Sequence, residues 1–129
     1  MKLMSENKKF VRGYKEPSNM ERLVIGNTVL DFSDLSVKGA ESNIVLPYEE
    51  FKILSAMLFQ HDRVFTRYQL GDTMWKYCME MYPDRPAQQV LHNCMKNLMN
   101  KFKGYHDFEI VIVETLGYKA VTRNSNITT

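Results

Sequence analysis

Between Arg85 and Lys103, the apolar residues Leu91, Cys94, Met95, Leu98 and Phe102 recur at three- and four-residue spacings. On an α-helix that spacing gathers them into one stripe. Gln89, Asn93, Lys96, Asn97, Asn100 and Lys103 then share the opposite face, which carries only amide and ammonium groups. The pattern predicts a helix over about 86–103, with Asp84 as its cap and Pro86 in its first turn. Two further helices precede it. One starts at Pro47, has Glu49 and Glu50 complementing the dipole, and buries Phe51, Leu54 and Leu58 with Ile53 and Met57 alongside, before His61-Asp-Arg ends it. The other starts at Thr66-Arg-Tyr-Gln69, a capping box in which the Thr hydroxyl and the Gln side chain satisfy each other's backbone amides. Leu70, Met74 and Tyr77 point inward from it, Trp75 lies on its flank, and Met79-Glu-Met-Tyr-Pro83 is predicted as the loop that follows.

Period-two runs flank these helices. Leu23-Val-Ile25 and Val29-Leu-Asp-Phe32 are joined by Gly26-Asn27, and Leu35-Ser-Val37 and Ile44-Val-Leu46 flank a turn over 38–43. At the other end, Phe108 to Val113 is a continuous β-branched strand, Thr115-Leu-Gly117 turns, and Tyr118 to Val121 returns. Four strands in an antiparallel sheet, three helices and a C-terminal hairpin define an α+β fold, a winged helix-turn-helix. The organisation read from this is a flexible basic arm over 1–22, a winged-helix domain over 23–122 and a frayed polar tail over 123–129.

Charge changes the picture more than composition does. At 129 residues and 44% apolar content, the chain suffices for a single core. Its net charge of +2 conceals an asymmetry. Residues 1–22 carry six Lys/Arg against three Asp/Glu, residues 23–84 five against nine, and residues 85–103 four against none. Cations gathered on the arm and the third helix are what a polyanion would select. A solvated helix face beside a polar tail gives the same count, so charge alone leaves both readings open.

Amides pair bidentately with adenine and ammonium groups reach guanine edges or phosphates, so the outer face of the third helix suits a DNA major groove. Gln89, Asn93, Lys96, Asn97 and Asn100 are the candidate base-reading residues, with Arg85, Lys103 and Lys119 as candidate backbone contacts. A preference for A·T-containing sites is expected. Met99, at the border of the two faces, is read as peripheral core rather than a thymine-methyl contact. Tyr77, Met79, Met81 and Tyr82 form a Met/aromatic loop of the kind that adapts to a protein partner, or that plugs the edge of a small core. Cys78 and Cys94 lack a paired motif, the three histidines lack ligand spacing, and no phosphate-cradling glycine loop or nucleophile motif is present, so neither a cofactor nor a metal nor enzymatic activity is expected. No run approaches a membrane span, and a cytoplasmic, nucleoid-associated protein is expected.

Leu23-Val-Ile-Gly, Leu46-Pro-Tyr-Glu-Glu-Phe-Lys-Ile-Leu54, His61-Asp-Arg-Val-Phe-Thr-Arg-Tyr-Gln-Leu70 through Trp75, and Glu114-Thr-Leu-Gly-Tyr118 resemble, in order and spacing, the DNA-binding effector domain of OmpR/PhoB-type response regulators. The resemblance implies a transcriptional regulator of double-stranded DNA whose third helix reads bases. It implies phosphate contacts from Thr66, Arg67 and Trp75, a contact with RNA polymerase over 76–83, and a homodimer on direct repeats. Three departures accompany it. A basic arm of about 22 residues stands where a receiver domain is usual, so control by abundance or a partner is expected in place of aspartate phosphorylation. Asn97 and Met99 stand where the family's helix usually carries arginines. The wing is short and lacks its usual arginine, with Glu114 nearby, and the basic arm is expected to compensate from an adjacent minor groove. These departures keep a second reading open: a winged-helix interaction module or inhibitor that binds RNA polymerase or another regulator rather than DNA.

Overall fold

The computed structural model describes residues 21–81, 84 and 87–123, without the side chains of 74–79, 81 and 87. Most of the predicted arm and tail, and Tyr82, Arg85 and Pro86, therefore lie outside the described residues. Strands β1 (Arg22–Ile25), β2 (Thr28–Asp31), β3 (Ser36–Lys38) and β4 (Asn43–Val45) form an antiparallel sheet in chain order. Helices α1 (Tyr48–Phe59), α2 (Arg67–Met81) and α3 (Ala87–Lys101) follow, and β6 (Phe108–Val113) and β7 (Gly117–Thr122) close the chain as a hairpin. Gly26, at φ +60, opens the two-residue link between β1 and β2, the conformation that a type II′ hairpin demands of its first central residue.

Two features differ from expectation. A two-residue strand, β5 (Phe65–Thr66), pairs with β7, so the hairpin belongs to a three-stranded sheet of order β5-β7-β6. The run is too short for periodicity to reveal. Secondly, α2 continues to Met81, which puts Met79 and Met81, with Tyr77, on a helix and not in a loop. Composition suggests a loop, but residues 74–82 hold no glycine or proline, and Pro83 disfavours helix at the residue before it.

One core joins all three layers. Leu30 and Val37 from the leading sheet, Phe51, Ile53, Leu54, Met57 and Leu58 from α1, and Leu70 from α2 are buried. The full predicted stripe of α3 joins them, with Phe108, Ile110, Tyr118 and Ala120 from the hairpin. Met99 is partly buried against this cluster. The capping box of α2 forms as the spacing requires, with the Gln69 amide donating to Thr66 Oγ1 at 3.1 Å and the Thr66 amide to Gln69 Oε1 at 3.0 Å.

The leading sheet is fastened to the far end of α3 by a buried carboxylate. Asp107 lies between α3 and β6, and its Oδ2 accepts from the Thr28 hydroxyl at 2.6 Å and from the Asn27 amide at 3.0 Å. Tyr105 bonds the same Thr28 oxygen at 2.8 Å; since that hydroxyl's proton goes to Asp107, the phenol is the donor. His106 Nδ1 lies 3.2 Å from Asp107 Oδ1. Burial alone would raise the Asp107 carboxyl, but the Thr28 hydroxyl, the His106 ring and the Asn27 amide together hold it below the ordinary carboxylate value.

Gly117 opens β7 where that strand crosses β5, and a Cβ there would run into the Phe65 carbonyl oxygen. Because that obstacle is backbone, relief requires the strands to part. Gly117→Ala is expected to cost about 1–3 kcal/mol of unfolding free energy, the range for forced overpacking. Urea denaturation followed by circular dichroism measures it, and an unchanged midpoint would show that β5 is not held against the wing.

Candidate nucleic-acid interface

The candidate surface is built from three pieces that the core holds side by side. The first is the outer face of α3. Burying Leu91, Cys94, Met95 and Leu98 turns Gln89, Asn93, Lys96 and Asn100 to solvent, as the periodicity predicts. Lys103 is exposed just beyond the helix. Asn97 is also exposed, yet its Nδ2 donates to Glu50 Oε2 on α1 at 3.2 Å, so it differs from the other predicted readers in having a committed side chain. Lys101, which the sequence did not single out, donates to the other oxygen of the same carboxylate at 2.7 Å.

The second piece is the start of α2. Thr66 is half-buried, and its hydroxyl is engaged as the helix cap. Arg67 is exposed; its Nη1 donates to the Thr115 carbonyl of the wing at 3.3 Å, and its guanidinium carbon lies 5.7 Å from the centre of the Tyr118 ring. The Arg67 carbonyl accepts from Gln88 Nε2 at 3.2 Å, joining the N-terminal ends of α2 and α3. Gly71 permits this approach, because a Cβ there would stand 2.7 Å from Gln88 Nε2. Tyr68 projects beside Arg67, 80% exposed. The side chains of Trp75, Tyr77, Met79 and Met81, and all of Tyr82 and Arg85, lie outside the described residues, so those predicted contacts have no geometry to report.

The wing is the third piece. Lys119 is half-buried on β7, Glu114 sits in the turn at φ +30, and Ile112 and Leu116 are exposed near the tip at 57% and 59%. Glu114 is exposed, so the tip is apolar with an acidic edge where a cationic one was the family's pattern. Gln88, Lys101 and the Arg67–Thr115 link carried no signal in the linear spacing, because their partners lie 21 to 51 residues away.

Among the described residues no group of three or more His, Cys, Asp or Glu is placed to hold a metal ion, and no helix is long and apolar enough to cross a membrane. What the surface offers is hydrogen-bond donors and acceptors on a convex helix, flanked by cations.

Three helices with α3 presented beside a hairpin make this chain a winged helix-turn-helix domain. With the four-stranded sheet ahead of it, the fold is similar to those of solved DNA-binding and response-regulator domains. The DNA-binding domain of CadC from E. coli superposes with a TM-score of 0.63 at 16% identity, over 80% of this chain and 94% of that one. The C-terminal domain of the nisin resistance regulator NsrR, a lantibiotic response regulator, gives 0.58 at 21% identity over 75% and 93%. The Thermotoga maritima response regulator DrrB, an OmpR/PhoB homologue, gives 0.60 at 21% identity over 78% and 44%. In sequence, 70 residues are 33% identical to the heme response regulator HssR of Staphylococcus aureus, covering 54% of this chain and 31% of the relative. The chain thus spans about a third of the length of the curated relatives it matches. No family model matches it.

Proposed function

We propose that this chain is a sequence-specific DNA-binding transcription regulator that lays α3 in the major groove of duplex DNA. The observation carrying the reading is the exposed outer face of α3, where Gln89, Asn93, Lys96 and Asn100 stand in solvent with no acidic residue between Asp84 and Asp107. Amide side chains at these positions suit adenine edges, and Lys96 suits a guanine edge or a phosphate. Arg85, Lys103 and Lys119 are candidates for phosphate contacts, and the resemblance adds Thr66, Arg67 and Trp75. The likeness to domains named for response regulation and DNA binding supports the same reading. Location at the nucleoid, pairing of copies on repeated sites and contact with RNA polymerase belong to this proposal as consequences.

The test is in vitro selection of bound duplexes from a random pool, followed by anisotropy titration of the selected site and a random duplex. With about four phosphates neutralised, affinity falls on the order of 100-fold between about 50 and about 200 mM salt. Asn93→Ala reduces the preference for the selected site by about 10-fold while changing random-duplex affinity far less, since a bidentate base contact is worth roughly 1–3 kcal/mol of discrimination. Affinity that ignores salt, or no detectable binding, overturns the reading.

One observation favours the interaction-module reading: the wing tip exposes Ile112 and Leu116 beside Glu114, a surface poorly matched to phosphate. Retention of a regulator or RNA polymerase from nuclease-treated extract, lost in Leu116→Ser, with no duplex binding, is the outcome that would select it.

A further inference from the structure

Glu50 is out of place for a residue of its charge. It lies in the first turn of α1, is 4% exposed, and faces α3 rather than solvent. Both oxygens of its carboxylate are used by α3: Oε2 accepts from Asn97 at 3.2 Å and Oε1 from Lys101 at 2.7 Å. These two donors stand four residues apart, hence one above the other on the same edge of the helix. That edge separates the buried stripe from the face bearing Asn93, Lys96 and Asn100.

We infer that Glu50 is a specificity-determining position that never touches DNA: by holding Asn97 and Lys101 against α1, it sets which side chains of α3 face the groove and how many of its cations meet phosphate. This rests on the DNA-binding reading above. Two separate consequences follow from the one carboxylate. Asn97, although exposed and of base-reading type, is withheld from the base edges, leaving Gln89, Asn93, Lys96 and Asn100 to discriminate. Lys101 is neutralised, so it adds nothing to the sequence-independent, salt-sensitive attraction. A helix poor in fixed cations thereby gives up one more, which favours selectivity over general adhesion to DNA.

The geometry also limits how α3 can turn about its axis. Lys101 reaches Glu50 from the last turn and Asn97 from the turn before, so the pair fixes both rotation and axial position against α1. Glu50→Gln retains the side-chain shape and one acceptor oxygen while removing the charge that neutralises Lys101. Its expected signature is therefore a change in binding character and not a plain loss.

The experiment titrates wild type, Glu50→Gln, Lys101→Gln and the double variant with a selected duplex and a random one across several salt concentrations. Unfolding midpoints are measured alongside. In Glu50→Gln the slope of log affinity against log salt steepens by about 0.9, the contribution of one additional phosphate contact. Random-duplex affinity rises several-fold at low salt, and preference for the selected site falls several-fold. Lys101→Gln alone keeps the wild-type slope, and in the double variant the slope returns to wild type. A Glu50→Gln protein with unchanged slope and preference overturns the inference, as do parallel losses on both duplexes, which mark a structural role alone. Should Glu50→Gln fail to fold, Lys101→Gln decides: a slope shallower by about 0.9 means that Lys101 already meets phosphate in the wild type, and the inference fails. Wild type that shows no salt-dependent binding removes the DNA reading itself, whereas normal wild-type binding with unmoved variants removes only the role of Glu50.

Discussion

Phe108→Ala is expected to lower the free energy of unfolding by about 3–5 kcal/mol, the range for truncating a fully buried phenylalanine. Phe108 opens β6, is completely inaccessible, and packs against the Phe102 ring at 5.2 Å and the Tyr105 ring at 4.8 Å. Phe102 ends the buried stripe of α3, so this aromatic group joins the last turn of that helix to the wing. The void left by alanine cannot be filled by its neighbours without moving one of those elements. Domains of this size are stable by only about 5–15 kcal/mol, so the variant should lose at least about a fifth of its stability and show a large fall in its urea midpoint. Phe108→Leu, which restores most of the volume, should recover much of the loss. If alanine costs under about 1 kcal/mol, the junction between α3 and the wing is not close-packed and the wing cannot be regarded as fixed relative to the helix.

Asp107→Ala is the second large effect, at about 3 kcal/mol. The side chain is 2% exposed, and its removal leaves the buried Thr28 hydroxyl and the part-buried Asn27 amide without their acceptor. Each buried donor so orphaned costs about 1–3 kcal/mol. The same group predicts a pH dependence. Its carboxyl lies below the ordinary value in the folded protein, so folding favours the ionised form. The associated stability is complete above the unfolded carboxylate value, near pH 4, and is lost as pH falls through the lower folded value. Thermal or urea unfolding between about pH 5 and pH 2 should therefore show a steep acid limb in the wild type that is shallower in Asp107→Asn. Equal slopes in the two proteins would show that Asp107 is not held ionised by this network.

These two sites mark the boundary between what local patterning reveals and what it does not. The stripe of α3, the α2 capping box and the Gly26-Asn27 hairpin are contacts between residues a few positions apart, and a spacing of two, three or four residues encodes them directly. Each was legible, and from them followed the order of elements and the fold. Thr28 and Asp107 are 79 residues apart, and Glu50 and Asn97 are 47 apart. No periodicity links such pairs; they exist because the folded core brings separate segments together. Asn97 illustrates the difference. Its helical phase gives its exposure correctly, but the phase holds no information about a carboxylate waiting on another helix. The end of α2 was misplaced for a different reason, since Met and aromatic residues suggested a loop while the backbone met no obstacle until Pro83.

The two-residue strand β5 carries a further implication. Because the residues that lead into α2 are also the third strand of the wing's sheet, and Arg67 reaches across to the Thr115 carbonyl, the hairpin cannot swing independently of the helices. The spacing between the start of α2 and the wing is thereby set by the fold itself. On the proposed DNA-binding reading, surfaces held in this way would favour duplexes that bend, narrow or twist easily to meet them, even at base pairs no side chain reaches.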